Sequence, residues 1–155
     1  MSSAFVKEAE GGEAFEDLPD RPISPHPNFV TSEGLALMEA ELTRLHAEHA
    51  AAQAADDKIA LAKTSRDLRY WTARRASAQV VDPPKDASEV HFGATVAIER
   101  DDGRRQTFRI VGEDEADPTK GSISYVSPLA QALTGKGVGD VVHAGGSDAE
   151  IVAIT

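Results

Sequence analysis

From Leu35 to Trp71 the chain has no glycine and no proline, and its apolar residues mirror one another about a single point. Pairing Leu35 with Ala78, Met38 with Arg75, Leu42 with Trp71, Leu45 with Leu68 and Ala52 with Leu61 gives the same index sum, 113, each time. Two antiparallel helices joined by a tight turn require such a mirror, because one face of each must meet the other along a 3-4 spaced seam. The reversal then falls between Asp56 and Asp57. Thr31 is suited to cap the first helix, and Glu33 lies in its first turn, where a negative charge meets the positive end of the helix dipole. Beyond Leu45 the seam weakens to His49 and Ala52, so the arms close over small side chains and the tip is expected to be the more mobile end. At Arg75 the aliphatic stem has to cover the seam with its charge left in water. An arm of about 25 residues spans roughly 37 Å. A rod of that kind ending in an acidic pair has the shape of a probe.

Composition limits what such a rod serves. With 155 residues, 41% of them apolar, the chain holds one or two small domains, and a large single-pocket enzyme is not expected. The net charge of −10 argues against independent binding to a phosphate backbone, so any nucleic-acid contact must be local. Without cysteine there are neither disulfides nor thiolate metal sites. No apolar run approaches the ~18 residues of a membrane span, and the first residues lack the apolar core of a signal peptide, so a cytoplasmic protein is expected. Residues 1–30 carry Glu8, Glu10, Glu13, Glu16, Asp17 and Asp20 against Lys7 and Arg21, with four prolines, and read as an acidic, extended or disordered tail.

The remainder divides into a helical hairpin at 31–80, a linker at 81–88 opened by Val81-Asp82-Pro83-Pro84, and a second domain at 89–155. In that domain short alternating segments are predicted at 90–92, 95–99, 107–111, 122–125, 140–143 and 151–154. Asp101-Asp102-Gly103 and Gly145-Gly146 are hairpin-turn signals, and Ser127-Pro128 reads as the cap and first residue of one short helix that Gly135 closes. The expected fold class is α+β: a helical coiled-coil hairpin followed by a small, strongly curved, mostly antiparallel sheet with one helix.

Chemistry-bearing patterns are sparse. No glycine-rich phosphate loop, nucleophile triad or histidine pair at metal-ligand spacing occurs, and His46 and His49 read as surface helix residues. The carboxylate-rich run Gly112–Asp117 lies between strands and reads as a turn held by Asx-type hydrogen bonds rather than a metal loop. Asp56 and Asp57 stand apart because of their place at the tip. Two exposed carboxylates at a rod's end could add hard oxygen ligands to a magnesium ion already held by another macromolecule; equally, Asp57 could simply start the second helix. The two arms differ in sign, since the second carries Lys58, Lys63, Arg66, Arg69, Arg74 and Arg75 against Asp67. Lys58, Lys63, Arg66 and Arg69 are therefore candidate RNA contacts, the alternative being ordinary solvated faces with some pairing between arms.

The second domain resembles the C-terminal domain of the GreA/GreB transcription elongation factors. The FGATV strand, the IVGEDEAD turn, the SPLAQAL helix start and the GK…GD pair carry the resemblance, and Val30-Thr31-Ser32-Glu33-Gly34-Leu35 looks like the family's first-helix start. The resemblance implies an FKBP-like C-terminal domain. It also implies docking of that domain on the rim of the bacterial RNA polymerase secondary channel, against a coiled coil of the β′ subunit. There the hairpin enters the channel and its tip carboxylates help hold the second catalytic magnesium, so that the polymerase cleaves its own backtracked transcript. The docking contact carries over to Ser127 and Pro128; the preceding residue, usually acidic in the family, is Val126. The family's tip stretch G-D-L-x-E-N-A-E-Y is absent, and each arm is about two turns short. A short-armed monomer is expected, with no cofactor of its own. It would regulate elongation without being an enzyme, touch nucleic acid only inside the polymerase complex, and occupy the channel, with or without cleavage, in competition with full-length factors. A peptide-binding or peptidyl-prolyl isomerase module is the alternative, although this half offers only Phe92, Phe108 and Tyr125 to line a pocket. A free-standing adaptor whose hairpin binds a partner helix is another.

Overall fold

The computed structural model describes residues 18–155. In chain order the elements are β1 (Phe29–Val30), α1 (Ser32–Ala54), α2 (Lys58–Ser77), β2 (Gln79–Val80), β3 (Thr95–Arg100), β4 (Arg105–Val111), a 3₁₀ turn (Pro118–Lys120), β5 (Ser122–Ser124), α3 (Pro128–Leu133), β6 (Val141–Ala144) and β7 (Ser147–Ile154). They fall into two compact units. One contains Leu37–Ser77 with residues 18–25, and the other contains His26–Ala36 with Ala78–Thr155.

In the helical unit the chain reverses at the expected place. α1 ends in a Schellman motif: the N–H of Asp56 donates to the Gln53 carbonyl at 3.2 Å and that of Asp57 to Ala52 at 2.9 Å. This closure needs a left-handed residue, and Asp56 supplies it with φ 51. Met38, Leu45 and Ala52 of α1 are buried, as are Ala62, Thr64 and Arg74 of α2. His49 and Thr64, whose indices also sum to 113, are bonded across the seam, Nδ1 to Oγ1 at 2.8 Å. The seam departs from the mirror at its base. Arg74 rather than Arg75 is buried, and Arg75 is exposed with its guanidinium 3.2 Å from Glu39. From Trp71 the inward face reaches position 74 by a three-residue step, which helical geometry allows as readily as four.

In the other unit a five-stranded sheet has the order β5-β4-β3-β7-β6. All neighbours are antiparallel except β4 and β5, which run parallel from Arg109↔Ser122 to Val111↔Ser124. A register shift after Ala97 bends β3 against β7. Gly145 and Gly146, with φ 71 and 82, form the two-residue connection between β6 and β7, a conformation open to glycine without steric cost. Val90, Val96, Ile98, Ile110, Leu133 and Ile151 form the centre of the core, each at most 1% exposed. The segment 90–92 is a loop rather than a strand; Val90 enters the core while its N–H and carbonyl bond to Lys136 and Gly135 instead of a sheet neighbour.

Two expectations for the chain before α1 change. Residues 1–17 lie outside the described residues. Residues 18–27 carry no helix or strand and are exposed or half-buried, but 28–30 are not part of a free tail: Asn28 and Val30 are buried, and β1 pairs in parallel with β2, Phe29↔Gln79 and Val30↔Val80. The boundary drawn at residue 31 therefore moves, because hydrogen bonds from 28–30 to 79–81 and the burial of Val30 tie this segment into the sheet-bearing unit.

Candidate functional site

At the hairpin tip Asp57 is the cap of α2. Its Oδ1 accepts from the Ala60 N–H at 3.1 Å and its carbonyl from Leu61 at 2.9 Å. The residue thus ends one helix and starts the next, which satisfies otherwise orphaned backbone groups of both. Asp56 beside it is exposed, and Ile59, 59% exposed, adds an apolar side chain that the sequence pattern had not singled out. Ala51, Ala52, Ala55 and Ala60 are too small to close the space between the arms, and a cleft of about 570 Å³ opens there, with Lys63 and Glu48 among its charged lining residues.

On the second arm Lys58 and Lys63 are exposed. The two arginines further along are already engaged. Arg66 Nε is 3.3 Å from Asp67, and Arg69 donates through Nε to Asp20 and through Nη2 to the Leu18 carbonyl at 2.9 Å. On the acidic arm Arg44 is clasped between Glu41 and Glu48, and these hydrogen bonds push its pKa upward.

In the sheet-bearing unit Ser127 caps α3, its Oγ accepting from the Ala130 N–H at 3.3 Å with Pro128 at the first helical position. Pro128 is exposed, and Val126 and Ser127 are half-buried. The Val126 N–H is held by Ser124 Oγ at 3.2 Å and the Ser127 N–H by the Ser124 carbonyl at 3.0 Å, so β5 delivers the three residues in a fixed conformation.

The carboxylate-rich run is a set of turn and cap contacts, as its sequence suggested. Asp117 caps the 3₁₀ turn through the Thr119 hydroxyl and N–H, and hydrogen bonds from that hydroxyl, more than any other cause, hold its carboxyl below 3.8. Glu115 has a role that the run did not reveal: it accepts from the Thr31 N–H at 2.9 Å, from the Thr31 hydroxyl, and from the Gly112 N–H at 3.2 Å. A Cβ at Gly34 would lie 2.3 Å from this carboxylate, so a glycine in the first turn of α1 makes room for it. Thr31 meanwhile caps α1 through the Gly34 N–H at 3.0 Å. Glu33 sits 3.3 Å from Arg109; its own backbone N–H, then the Arg109 charge, hold its carboxyl below the ordinary 4.5.

The aromatic residues available for a peptide pocket are spent on packing. Phe29 lies 6.2 Å from Phe92 and 5.4 Å from Tyr125, ring centre to ring centre, and the Tyr125 hydroxyl donates to the Pro27 carbonyl at 2.5 Å. Among the described residues no group of three or more His, Asp or Glu is placed to hold a metal ion, and no helix is long and apolar enough to cross a membrane.

A helical hairpin with a capped acidic turn thus shares one chain with a curled sheet whose short helix starts at a Ser-Pro pair. Residues 84–155 match the family model described as transcription elongation factor GreA/GreB, C-terminal. The chain is 38% identical over 135 residues to transcription elongation factor GreA of Desulfovibrio desulfuricans, covering 86% of this chain and 80% of the relative. It is 45% identical over 87 residues to GreB of Neisseria meningitidis serogroup B, covering 55% of this chain and 53% of that protein. Among solved structures it is similar to GreA factor homolog 1 of Thermus thermophilus, with 20% identity, a TM-score of 0.38, and coverage of 84% of this chain and 99% of that one. The chain belongs to the GreA/GreB family of transcription elongation factors.

Proposed function

We propose that this protein binds bacterial RNA polymerase at the secondary channel and occupies it without efficient transcript cleavage. In this reading Val126, Ser127 and Pro128 dock on the channel rim against the β′ coiled coil, and α1 and α2 enter the channel. The tip carries the negative part of the proposal. Asp57 holds the Ala60 N–H with one carboxylate oxygen, and the hairpin arms are 23 and 20 residues, about 34 and 30 Å. A magnesium ion takes one or two carboxylates together with waters and phosphates, so Asp56 and Asp57 fit only an ion that the polymerase and transcript already hold. Ligands that stop short of the reacting phosphate by even about 1 Å lose most of their effect on its chemistry. The protein would then act as a cytoplasmic competitor of full-length cleavage factors, with no cofactor of its own.

The mutual packing of Phe29, Phe92 and Tyr125 favours this reading over a prolyl isomerase, because rings that cover one another are not free to line a pocket for a proline ring. The test is a cleavage assay on stalled, backtracked elongation complexes with the wild-type protein, Asp56→Ala and Asp57→Ala. Expected is co-purification with core polymerase and inhibition of a full-length factor, with little cleavage of its own. Strong cleavage that either alanine abolishes overturns the short-arm reading, and no binding to polymerase overturns the whole.

A further inference from the structure

Four consecutive residues ahead of the hairpin, Leu18-Pro19-Asp20-Arg21, lie on one face of α2, and their chemistry identifies what that face accepts. Arg69 takes the Asp20 carboxylate on Nε and the Leu18 carbonyl on Nη2 at 2.9 Å. One residue on, the Arg21 guanidinium lies 3.9 Å from the centre of the Tyr70 ring and 5.9 Å from that of Trp71, with Nη1 3.4 Å from Asp67. Tyr70 is braced by Trp71, edge to face at 5.2 Å. The face thus offers a forked cation to an anion and, beside it, an aromatic ring to a flat delocalised group. A phosphate and an unpaired base on the same strand make those two demands.

We infer that Arg69 and Tyr70 form a site for a single-stranded nucleic acid, phosphate on Arg69 and base on Tyr70, and that residues 18–21 occupy it as an intramolecular mimic. Asp20 stands in for the phosphate and Arg21 for the base. The contacts suit an occupant that leaves: the Asp20 side chain is 73% exposed and that of Arg69 44%, and ion pairs so exposed hold weakly. Asp67 does not prevent exchange, because when Arg21 withdraws it keeps Arg66 at 3.3 Å as a partner. The inference rests on the reading of the second arm as a candidate RNA contact but not on docking to polymerase, so it is tested on the free chain.

The experiment is fluorescence anisotropy of a labelled short oligoadenylate at low salt, RNA and DNA versions in parallel, with wild type, Arg21→Ala, and Arg21→Ala combined with Tyr70→Leu or Arg69→Ala. Arg21→Ala removes a positive charge, taking the net charge from −10 to −11, so simple electrostatics weakens binding. Release of the mimic instead tightens it, by about threefold. Adding Tyr70→Leu to Arg21→Ala then loosens it about fivefold, the scale of one stacked base. Emission of Trp71, the single tryptophan, reports exposure of the face in Arg21→Ala, and far-ultraviolet dichroism checks that the hairpin of each variant is intact. Preference for RNA over DNA identifies transcript as the occupant, and equal binding leaves the site one for either strand. Unchanged or weaker binding by Arg21→Ala, indifference to Tyr70→Leu, or equally good competition by duplex overturns the inference. A gain in polymerase affinity with none for the oligonucleotide does so as well, and assigns the face to a protein partner. Failure of wild type to bind polymerase, with these shifts present, sinks the proposed function alone.

Discussion

The two units of this chain are held together by different means. In the sheet-bearing unit, stability comes from a dense aliphatic centre in which Val90, Val96, Ile98, Ile110 and Leu133 are at most 1% exposed. The hairpin has only a thin seam, with Met38 and Leu45 its large buried apolar residues and Ala52, Ala62, Thr64 and Arg74 completing it. It makes up the difference locally, with the Asp57 cap at the reversal and the His49–Thr64 bond across the arms. A rod this thin keeps nearly every side chain at its surface, whereas a dense core fixes the conformation of the loops around it.

Substitutions can break or sharpen that contrast. Leu133→Ala should cost the sheet-bearing unit about 4 kcal/mol in denaturant titration, because a close-packed core collapses poorly around a lost side chain. Leu45→Ala should cost the hairpin about 2 kcal/mol, since a cavity between two helices in water relaxes readily; equal costs at the two sites would erase the distinction. Glu115→Gln, which keeps shape but loses the charge-assisted bonds to Thr31 and Gly112, should cost about 1.5 kcal/mol and be visible as earlier hydrogen exchange of the Thr31 amide. Asp57→Ala should remove a cap worth about 1 kcal/mol of helicity at the tip and leave Tm of the sheet-bearing unit untouched.

The smallest effect is pH-dependent. The folded-state pKa of Glu33 lies below its unfolded value, so its contribution is complete above about 4.5 and is lost as pH falls through the folded value. The Tm difference between wild type and Glu33→Gln should therefore shrink steadily as the solution is acidified below pH of about 4.5. A gap that widens on acidification would contradict the Glu33–Arg109 geometry.

Much of this architecture was legible in the residues, for reasons that differ by element. The hairpin and its turn at 56 and 57 were readable because helical periodicity, the lack of glycine and proline, and an aspartate that tolerates a left-handed φ all act within a few residues. The sheet strands were readable from alternation, except at 90–92, where burial of Val90 without ladder bonds imitates a strand. Glu115 was hidden among turn-forming acids, and its partner Thr31 is 84 positions away. The only local trace was Gly34, a poor helix former placed in a first turn.

The amino-acid sequence alone determined where the chain turns, which helix faces are apolar and which strands alternate, since these follow from steric and solvation preferences of neighbouring residues. Tertiary structure decided which of two equivalent steps buries an arginine, that Phe29 packs against both Phe92 and Tyr125, that β1 finds β2, and that Asp20 and Arg21 settle on Arg69 and Tyr70. These contacts join residues far apart in the chain. Their partners are selected by distance and burial in the folded state, which no local pattern encodes.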